Sequence, residues 1–315
     1  MSLSIPRLTV SLALSLAAMV SGSVVACKAS PAPVSTGPFD TATPGSDGGA
    51  GSGPAPDGAV APWPDPGMKV TNEAIKVGGV TRTYVLVVPR TYDAKRRYPL
   101  VFAFHGSFGS GTQFRNFYRL ERASGEDALV AYPNGALDNN EWDLESVSAK
   151  NADVALFDAV VADLDMRFSL DKARVFAAGW SNGGFFSNRL ACSRSKAIKA
   201  ISSLSGGAPY DAKGVLPRYK PDFVKCEADQ GGVASLSIHG VDDPEVGLDS
   251  GEFSAVYWAF VNGCSGARAP TTPRPCEAYT CPAGKPVLFC PFPKIGHGIP
   301  PDAAELTWNF FKGIP

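Results

Sequence analysis

One run of the sequence predicts a strand, a tight turn and a helix in immediate succession: Val175-Phe176-Ala177-Ala178-Gly179-Trp180-Ser181-Asn182-Gly183-Gly184-Phe185. An apolar stretch enters a G-x-S-x-G pentapeptide, and residues compatible with a helix leave it. This pattern is typical of a nucleophile elbow, a strained turn that holds a serine hydroxyl clear of the backbone. Glycine is needed on both sides because a Cβ atom there would press on the neighbouring strand or helix. The alternative interpretation is a glycine-rich loop that contains Ser181 by chance.

The residues after Ser181 supply hydrogen-bond donors beside its hydroxyl. Asn182 and Gly183 begin the predicted helix, and the first N–H groups of a helix have no acceptor within it. Such groups can face the negative charge that develops on a carbonyl oxygen when a serine attacks it. We therefore predict that the backbone N–H of Asn182 forms half of an oxyanion hole.

A general base for Ser181 is sought among the three histidines of the chain. His105 and His239 each end an apolar run and precede a glycine, a place where a histidine more often supports a loop. His297 lies in a loop after the strand-like residues 286–290, and it is the last histidine of the chain. This position fits the chain order serine, acid, histidine of one class of hydrolases. His297 is therefore the predicted base.

The acid of such a triad is expected after a strand, between the serine and the histidine. The segment His239-Gly240-Val241-Asp242-Asp243-Pro244 offers two aspartates. We predict Asp243, because Pro244 fixes the turn that follows it, whereas Asp242 can cap the turn or point to solvent. The other of the two is then an ordinary acidic turn residue.

Alternating strand and helix patterns predict an α/β fold. Strands are predicted at residues 72–77, 81–88, 98–105, 128–132, 174–179, 197–205, 233–239 and 285–290, and helices at 112–124, 151–167, 182–192, 251–261 and 302–311. This alternation implies a mostly parallel sheet covered by helices on both faces, with its site at the C-terminal ends of the strands. The motif loops all follow predicted strands, so we expect them to meet at one edge of the sheet.

Four motifs occur together in an order that resembles a known family. They are His105-Gly106-Ser107, the run from Gly179 to Gly184, the run from His239 to Pro244, and Gly296-His297. Over roughly the last four fifths of the chain they resemble the esterase family of polyhydroxybutyrate depolymerases, which also contains secreted feruloyl and acetylxylan esterases. The resemblance implies an α/β-hydrolase fold, a serine esterase that needs no cofactor, and a second oxyanion donor at the backbone N–H of Ser107.

The first 27 residues predict export. They contain one cation, Arg7, then an apolar stretch from Leu8 to Val20, and then small residues. That pattern is typical of a signal peptide and is too short for a transmembrane helix, which needs about 20 apolar residues. The end of the segment, Val24-Val25-Ala26-Cys27, resembles a bacterial lipobox and predicts a lipid anchor on Cys27 as the contact with a membrane. The alternative is plain secretion after cleavage behind Ala26.

Residues 28–66 and 67–315 differ sharply in composition. The first range is dominated by alanine, proline, glycine, serine, threonine and aspartate. Such a segment cannot bury enough apolar surface to offset the entropy of ordering, so we expect a flexible linker. The second range spans about 250 residues, the size of one α/β domain. A net charge of −1 for the whole chain gives no basic field, which argues against nucleic acid as a partner.

The cysteines indicate disulfide bonds. Setting Cys27 aside leaves six of the seven cysteines, namely Cys192, Cys226, Cys264, Cys276, Cys281 and Cys290. An even number in an exported protein is typical of a disulfide framework. The resemblance implies a Cys192–Cys226 pair and leaves the pairing of the other four open. A zinc site formed by Cys276, Cys281 and Cys290 is disfavoured, since the spacing lacks a C-x-x-C pair and no histidine is spare.

The substrate is the part that the sequence constrains least. Trp142 and Trp180 either line an acyl or sugar pocket or pack inside the domain. Enzymes of the resembling family that degrade the insoluble polymer usually carry a separate polymer-binding module, and this chain reaches Pro315 just after its last predicted helix. We therefore expect feruloyl or acetyl esters of plant polysaccharides as substrates, with hydroxybutyrate oligomers as the alternative. A surface lipoprotein that uses the hydrolase fold as a binding scaffold is the non-enzymatic alternative.

Overall fold

A ten-stranded mixed sheet forms the centre of the region that the computed structural model describes. The described residues are 67–209, 211, 214, 216–219, 223–227 and 231–315. Among them, each helix is too short or too polar to serve as a transmembrane span. The signal peptide at 1–27, the lipidation site at Cys27 and the linker at 28–66 lie outside the described residues, so they stay predictions.

The sheet is mostly parallel, as the sequence predicts. Its strands are β1 (Lys69–Val77), β2 (Val80–Val88), β3 (Tyr98–Phe104), β4 (Leu129–Pro133), β5 (Leu170–Trp180), β6 (Ala200–Leu204), β7 (Ala234–Gly240), β8 (Ser265–Pro270), β9 (Glu277–Thr280) and β10 (Val287–Phe292). They lie in the order β1-β2-β4-β3-β5-β6-β7-β10-β9-β8. The strands from β4 to β10 in this order pair in parallel. Antiparallel pairs occur at both ends, where β2 joins β1 and β4, and where β9 joins β8 and β10.

Helices cover both faces of the sheet. They are α1 (Gly111–Tyr118), α2 (Leu120–Ser124), α3 (Ala152–Arg167), α4 (Asn182–Ser193), α5 (Leu248–Asn262) and α6 (Ala303–Lys312). Residues of α3, α4 and α5 pack into one hydrophobic cluster, and residues of α1, α2 and α6 pack into a second. Strand β3 separates the two, because Phe102 faces the first cluster and Val101 faces the second. A strand buried on both faces needs a nearly continuous apolar sequence, and β3 has one.

Two local features differ from the expectation. The helix predicted at 112–124 is broken at Arg119, whose φ of 47° is left-handed, so that α1 and α2 are separate helices. Strands β8 and β9 are not predicted by the apolar pattern, because their side chains are half-buried or exposed.

Three disulfide bonds join the six cysteines of the described region. Cys192–Cys226 links the end of α4 to the segment 223–227, which confirms the pair implied by the resemblance. Cys264–Cys281 closes the base of the β8–β9 hairpin, and Cys276–Cys290 ties that hairpin to β10. Because Cys276, Cys281 and Cys290 all form disulfides, none of them is free to bind zinc.

Candidate active site

Ser181 lies at the sharp turn between β5 and α4. Its backbone has φ 54° and ψ −122°, and a residue held in such a sparsely populated conformation carries about 1–3 kcal/mol of strain. Hydrogen bonds hold the turn from both sides. The Ser181 N–H donates to the carbonyl of Leu204, and the N–H groups of Gly184 and Phe185 donate to the carbonyl of Ser181. The surrounding structure therefore imposes the strained geometry on the serine.

Glycines at 179 and 183 are required by close backbone packing. A Cβ atom on Gly179 would overlap the carbonyl of Gly183, and one on Gly183 would overlap the carbonyl oxygens of Phe104 and His105. Both clashes are with backbone atoms, which cannot move without shifting β3 or α4. The two glycines thus allow the elbow to lie directly against the loop after β3.

Side chains from three loops form a hydrogen-bonded chain. The Nε2 atom of His297 lies 2.9 Å from the Oγ of Ser181, and its Nδ1 lies 2.8 Å from the Oδ2 of Asp243. Ser181 follows β5, Asp243 follows β7 and His297 follows β10, so the C-terminal edge of the parallel strands brings them together. These are the three residues that the sequence predicts for a triad.

Asp243 is held by backbone donors as well as by His297. The N–H groups of Glu245 and Val246 each donate to its Oδ1 at 3.0 Å. Burial acts to raise the pKa of Asp243, but the hydrogen bonds from His297 and the two N–H groups outweigh burial, and the pKa lies below its usual value. The carboxylate is therefore charged at neutral pH and can stabilise a proton on His297. Asp242, by contrast, is exposed.

The other two histidines support loops. The Nε2–H of His239 donates to the carbonyl of Val246 at 2.8 Å, within the turn that holds Asp243. The Nδ1–H of His105 donates to the carbonyl of Gly106 at 2.8 Å. Burial lowers the pKa of both histidines, which favours the neutral rings.

The two predicted oxyanion donors belong to backbone segments that meet at the serine. Asn182 is the first residue of α4. Ser107 follows Gly106, and a Cβ atom on Gly106 would lie 3.2 Å from the Cβ of Ser181 and 2.8 Å from the ring of Trp180. The loop after β3 therefore passes beside the serine. A helix N-terminus and a neighbouring loop at one serine is the arrangement from which an oxyanion hole is built.

An open aromatic surface adjoins His297. Trp180 is half-buried, and its ring centroid lies 5.1 Å from that of His297 and 6.3 Å from that of Phe117. Phe117 is 64% exposed. The sequence pattern gives no sign of an exposed role for Phe117, because Phe117 lies in α1 next to the buried Tyr118 and resembles another core aromatic.

Trp142 occupies a different environment, which corrects its interpretation as a pocket residue. Its side chain is 2% exposed and packs against Phe104 and Phe186. Because the ring is enclosed by these side chains, no face of it is open to a substrate. Trp142 therefore packs inside the domain, which was the alternative interpretation of this residue.

The fold and the site together define an α/β-hydrolase. The fold is similar to an acetyl xylan esterase from Aspergillus awamori, with a TM-score of 0.64 and 17% identity over 78% of this chain and 99% of that one. It is also similar to the feruloyl esterase module from Clostridium thermocellum, with a TM-score of 0.55 and 14% identity over 83% of this chain and 92% of that one. Identities this low show a common fold.

Relatives that are 30% or more identical to this chain show the family to which it belongs. The chain is 33% identical over 249 residues to a probable feruloyl esterase C from Aspergillus flavus, covering 73% of this chain and 83% of the relative. It is 30% identical over 259 residues to a probable feruloyl esterase C from Aspergillus terreus, covering 78% and 88%. The chain therefore belongs to the feruloyl esterase C family and is a carboxylic ester hydrolase. No family model matches it, and the narrower likeness to polyhydroxybutyrate depolymerases stays a prediction.

Proposed function

We propose that this chain is a serine esterase that hydrolyses feruloyl or acetyl esters of plant polysaccharides, feruloyl esters foremost. In this proposal Ser181 is the nucleophile, His297 is the general base, and Asp243 orients and stabilises the imidazole. The observation that carries the proposal is the continuous hydrogen-bonded chain from Ser181 Oγ through His297 to Asp243. This is the geometry by which a weakly nucleophilic hydroxyl is activated at neutral pH.

The first half of the reaction forms an acyl-enzyme. Ser181 Oγ attacks the carbonyl carbon of the ester while His297 Nε2 accepts its proton. The carbonyl oxygen becomes an oxyanion and accepts hydrogen bonds from the backbone N–H groups of Ser107 and Asn182. Collapse of the tetrahedral intermediate breaks the bond to the sugar oxygen, and His297 returns its proton to that oxygen. The sugar leaves as an alcohol.

The second half releases the acid. His297 Nε2 takes a proton from water, and the resulting hydroxide oxygen attacks the acyl carbon of the Ser181 ester. The same two N–H groups stabilise the second oxyanion. The intermediate then expels Ser181 Oγ, which regains a proton from His297, and the carboxylic acid departs. These steps need no group beyond the protein, the ester and water.

An aromatic acyl group is favoured by the surface next to His297. Trp180 presents a flat ring beside the base, and the exposed ring of Phe117 lies next to Trp180. Such rings bind a planar phenyl group by offset or edge contacts, and they lose little conformational entropy in doing so. The relatives named feruloyl esterase C support the same acyl class. The scaffold alternative has no use for a strained serine that is aligned with a base.

Export is part of this proposal. Three disulfide bonds in the described region are typical of proteins that fold outside the cytosol. With the signal peptide predicted at 1–27, they support an extracellular or cell-surface location. A lipid anchor at Cys27 stays a prediction.

Substrate comparison and serine labelling test the proposal. We expect the highest kcat/KM on methyl ferulate, followed by acetylated xylo-oligosaccharide and then a hydroxybutyrate trimer. An organophosphonate should label the wild-type protein at Ser181 in a one-to-one ratio and leave Ser181→Ala unlabelled. A clear preference for the trimer would overturn the acyl assignment. A folded wild-type protein that neither reacts with the phosphonate nor hydrolyses any of the three esters would support the scaffold instead.

A further inference from the structure

Trp142 is buried between the two segments that carry the proposed oxyanion donors. Its ring stacks on Phe186 of α4, with 5.0 Å between centroids and 16° between planes. It meets Phe104 at the end of β3 edge-on, also at 5.0 Å, and lies 4.8 Å from the His105 ring. Contacts with both elements therefore fix where the indole can lie.

Both N–H groups of Trp142 donate to these same two segments. The indole Nε1–H donates to the carbonyl of His105 at 2.8 Å. The backbone N–H donates to the Oδ1 of Asn182 at 2.9 Å. One residue thus binds the loop after β3 and the first residue of α4 at the same time.

The bond to His105 bears on the direction of the Ser107 N–H. The carbonyl of Gly106 and the N–H of Ser107 belong to one planar trans peptide, so they point in opposite directions. The Gly106 carbonyl accepts hydrogen bonds from His105 Nδ1 at 2.8 Å and from the Gly109 N–H at 3.2 Å. Trp142 holds the preceding peptide through the His105 carbonyl. Together these bonds leave the Gly106–Ser107 peptide little freedom to rotate.

The loop of Trp142 is itself anchored by a buried ion pair. The N–H of Asp143 donates to Asp153 Oδ2 at 2.8 Å, and the other oxygen of Asp153 binds Arg82 at 2.6 Å. Asp153 is 1% exposed and Arg82 is 8% exposed. The segment that carries Trp142 is therefore fixed to β2 and α3 rather than free to follow the loop after β3.

We propose that Trp142 is a positioning residue for the oxyanion hole, which holds the backbone N–H groups of Ser107 and Asn182 at the spacing that a tetrahedral oxyanion requires. The inference rests on the proposed function, since it assumes attack by Ser181. Hydrogen-bond donors that are fixed before the reaction stabilise the transition state without reorganisation. A displacement of such a group by about 1 Å lowers the rate by roughly a hundredfold.

The variant Trp142→Phe tests this role, because it keeps a buried ring but removes the indole donor. With p-nitrophenyl acetate as substrate, kcat should fall by about one to two orders of magnitude while KM stays nearly unchanged. Affinity for a boronic acid, which forms a tetrahedral adduct with Ser181, should fall in parallel. Affinity for free ferulate, which forms no oxyanion, should not.

Trp258→Phe is the control for lost packing and a lost indole hydrogen bond. Trp258 is also fully buried, and its Nε1–H donates to Asn188 Oδ1 at 2.7 Å, away from the loop after β3. We expect this variant to lose stability but to retain kcat per folded molecule. Equal kcat in Trp142→Phe and Trp258→Phe would overturn the inference.

Asn182→Ala keeps the inference testable if Trp142→Phe does not fold. It removes the side-chain acceptor of Trp142 and leaves the backbone N–H of residue 182 in place. We expect the same pattern, a lower kcat and weaker boronic acid binding with little change in KM. Unchanged values would overturn the inference. A wild-type protein without activity towards both methyl ferulate and p-nitrophenyl acetate would overturn the proposed function as well, whereas an active wild type with unaffected variants would overturn this inference alone.

Discussion

At the scale of single residues, Asp242 and Asp243 are adjacent in the sequence but differ in their surroundings. Asp243 is 8% exposed and accepts hydrogen bonds from His297 and from two backbone N–H groups. Asp242 is exposed, and its backbone N–H donates to the carbonyl of Ile295. Only Asp243 can therefore orient the imidazole, while Asp242 joins the acid loop to the loop of His297 through its backbone.

Substituting each aspartate by asparagine separates these roles. Asp243→Asn should lower kcat by about four orders of magnitude, because a neutral amide no longer selects the reactive tautomer of His297 or stabilises its charge. Asp242→Asn keeps the backbone hydrogen bond and should change kcat little. Hydrolysis of p-nitrophenyl acetate measures both, with Ser181→Ala and His297→Ala as the lower limit at a loss of roughly a millionfold. If Asp242→Asn were damaging and Asp243→Asn were tolerated, Asp242 would be the acid of the triad.

At the scale of elements, the elbow depends on how closely α4 approaches β3. Gly183→Ala should lower the free energy of unfolding by about 3 kcal/mol, because the new methyl group meets the carbonyl oxygens of Phe104 and His105. Helix propensity works in the opposite direction, since alanine is favoured over glycine within a helix by about 1 kcal/mol. A loss of stability in urea unfolding would therefore report the clash itself.

Gly298→Ala provides the comparison for that prediction. A Cβ atom on Gly298 would meet only the Cγ2 of Ile295, at 3.9 Å, which is an ordinary contact. This variant lies next to His297 but should unfold close to the wild-type urea concentration. If Gly183→Ala were as stable as Gly298→Ala, the close packing of the elbow would not be what requires glycine there.

Elements that depend on local pattern could be predicted from the sequence. The apolar run before Ser181 and the glycines around it predict a strand, a turn and a helix from the local sequence alone. The order of the motifs along the chain then placed Ser181, Asp243 and His297 at successive strand ends, and the structure brings these three side chains into contact.

Features that depend on distant contacts could not be predicted in this way. Arg119 adopts a left-handed conformation that nothing in its own side chain favours. The sequence therefore does not predict the break between α1 and α2. Strands β8 and β9 bury too little to show an apolar period. The two hydrogen bonds of Trp142 span 37 and 40 residues, and no local pattern encodes them.

At the scale of the whole molecule, the disulfides compensate for a weakly buried end of the sheet. Most side chains of β8 are exposed, so the β8–β9 hairpin gains little from apolar burial. Cys276 and Cys290 are fully buried, and their bond ties the hairpin to β10, the strand that leads to His297. Strand β10 also pairs in parallel with β7 over six residue positions. This pairing does not depend on the disulfide.

Replacing the Cys276–Cys290 pair by serines should therefore reduce stability more than activity. The double variant Cys276→Ser/Cys290→Ser should lose about 3 kcal/mol of unfolding free energy, because the bond closes a loop with a sequence separation of 14 residues and its removal frees the unfolded chain. Its kcat at low temperature should stay near the wild-type value, since pairing with β7 still positions β10.

Urea unfolding and hydrolysis of p-nitrophenyl acetate measure the two effects, and mass analysis without reductant should find no free thiol among the six cysteines of the wild type. Free thiols at 276 and 290, or a variant as stable as the wild type, would show that the sheet edge holds without this bond. A large loss of kcat in a folded variant would instead mean that the hairpin, rather than β7, positions His297.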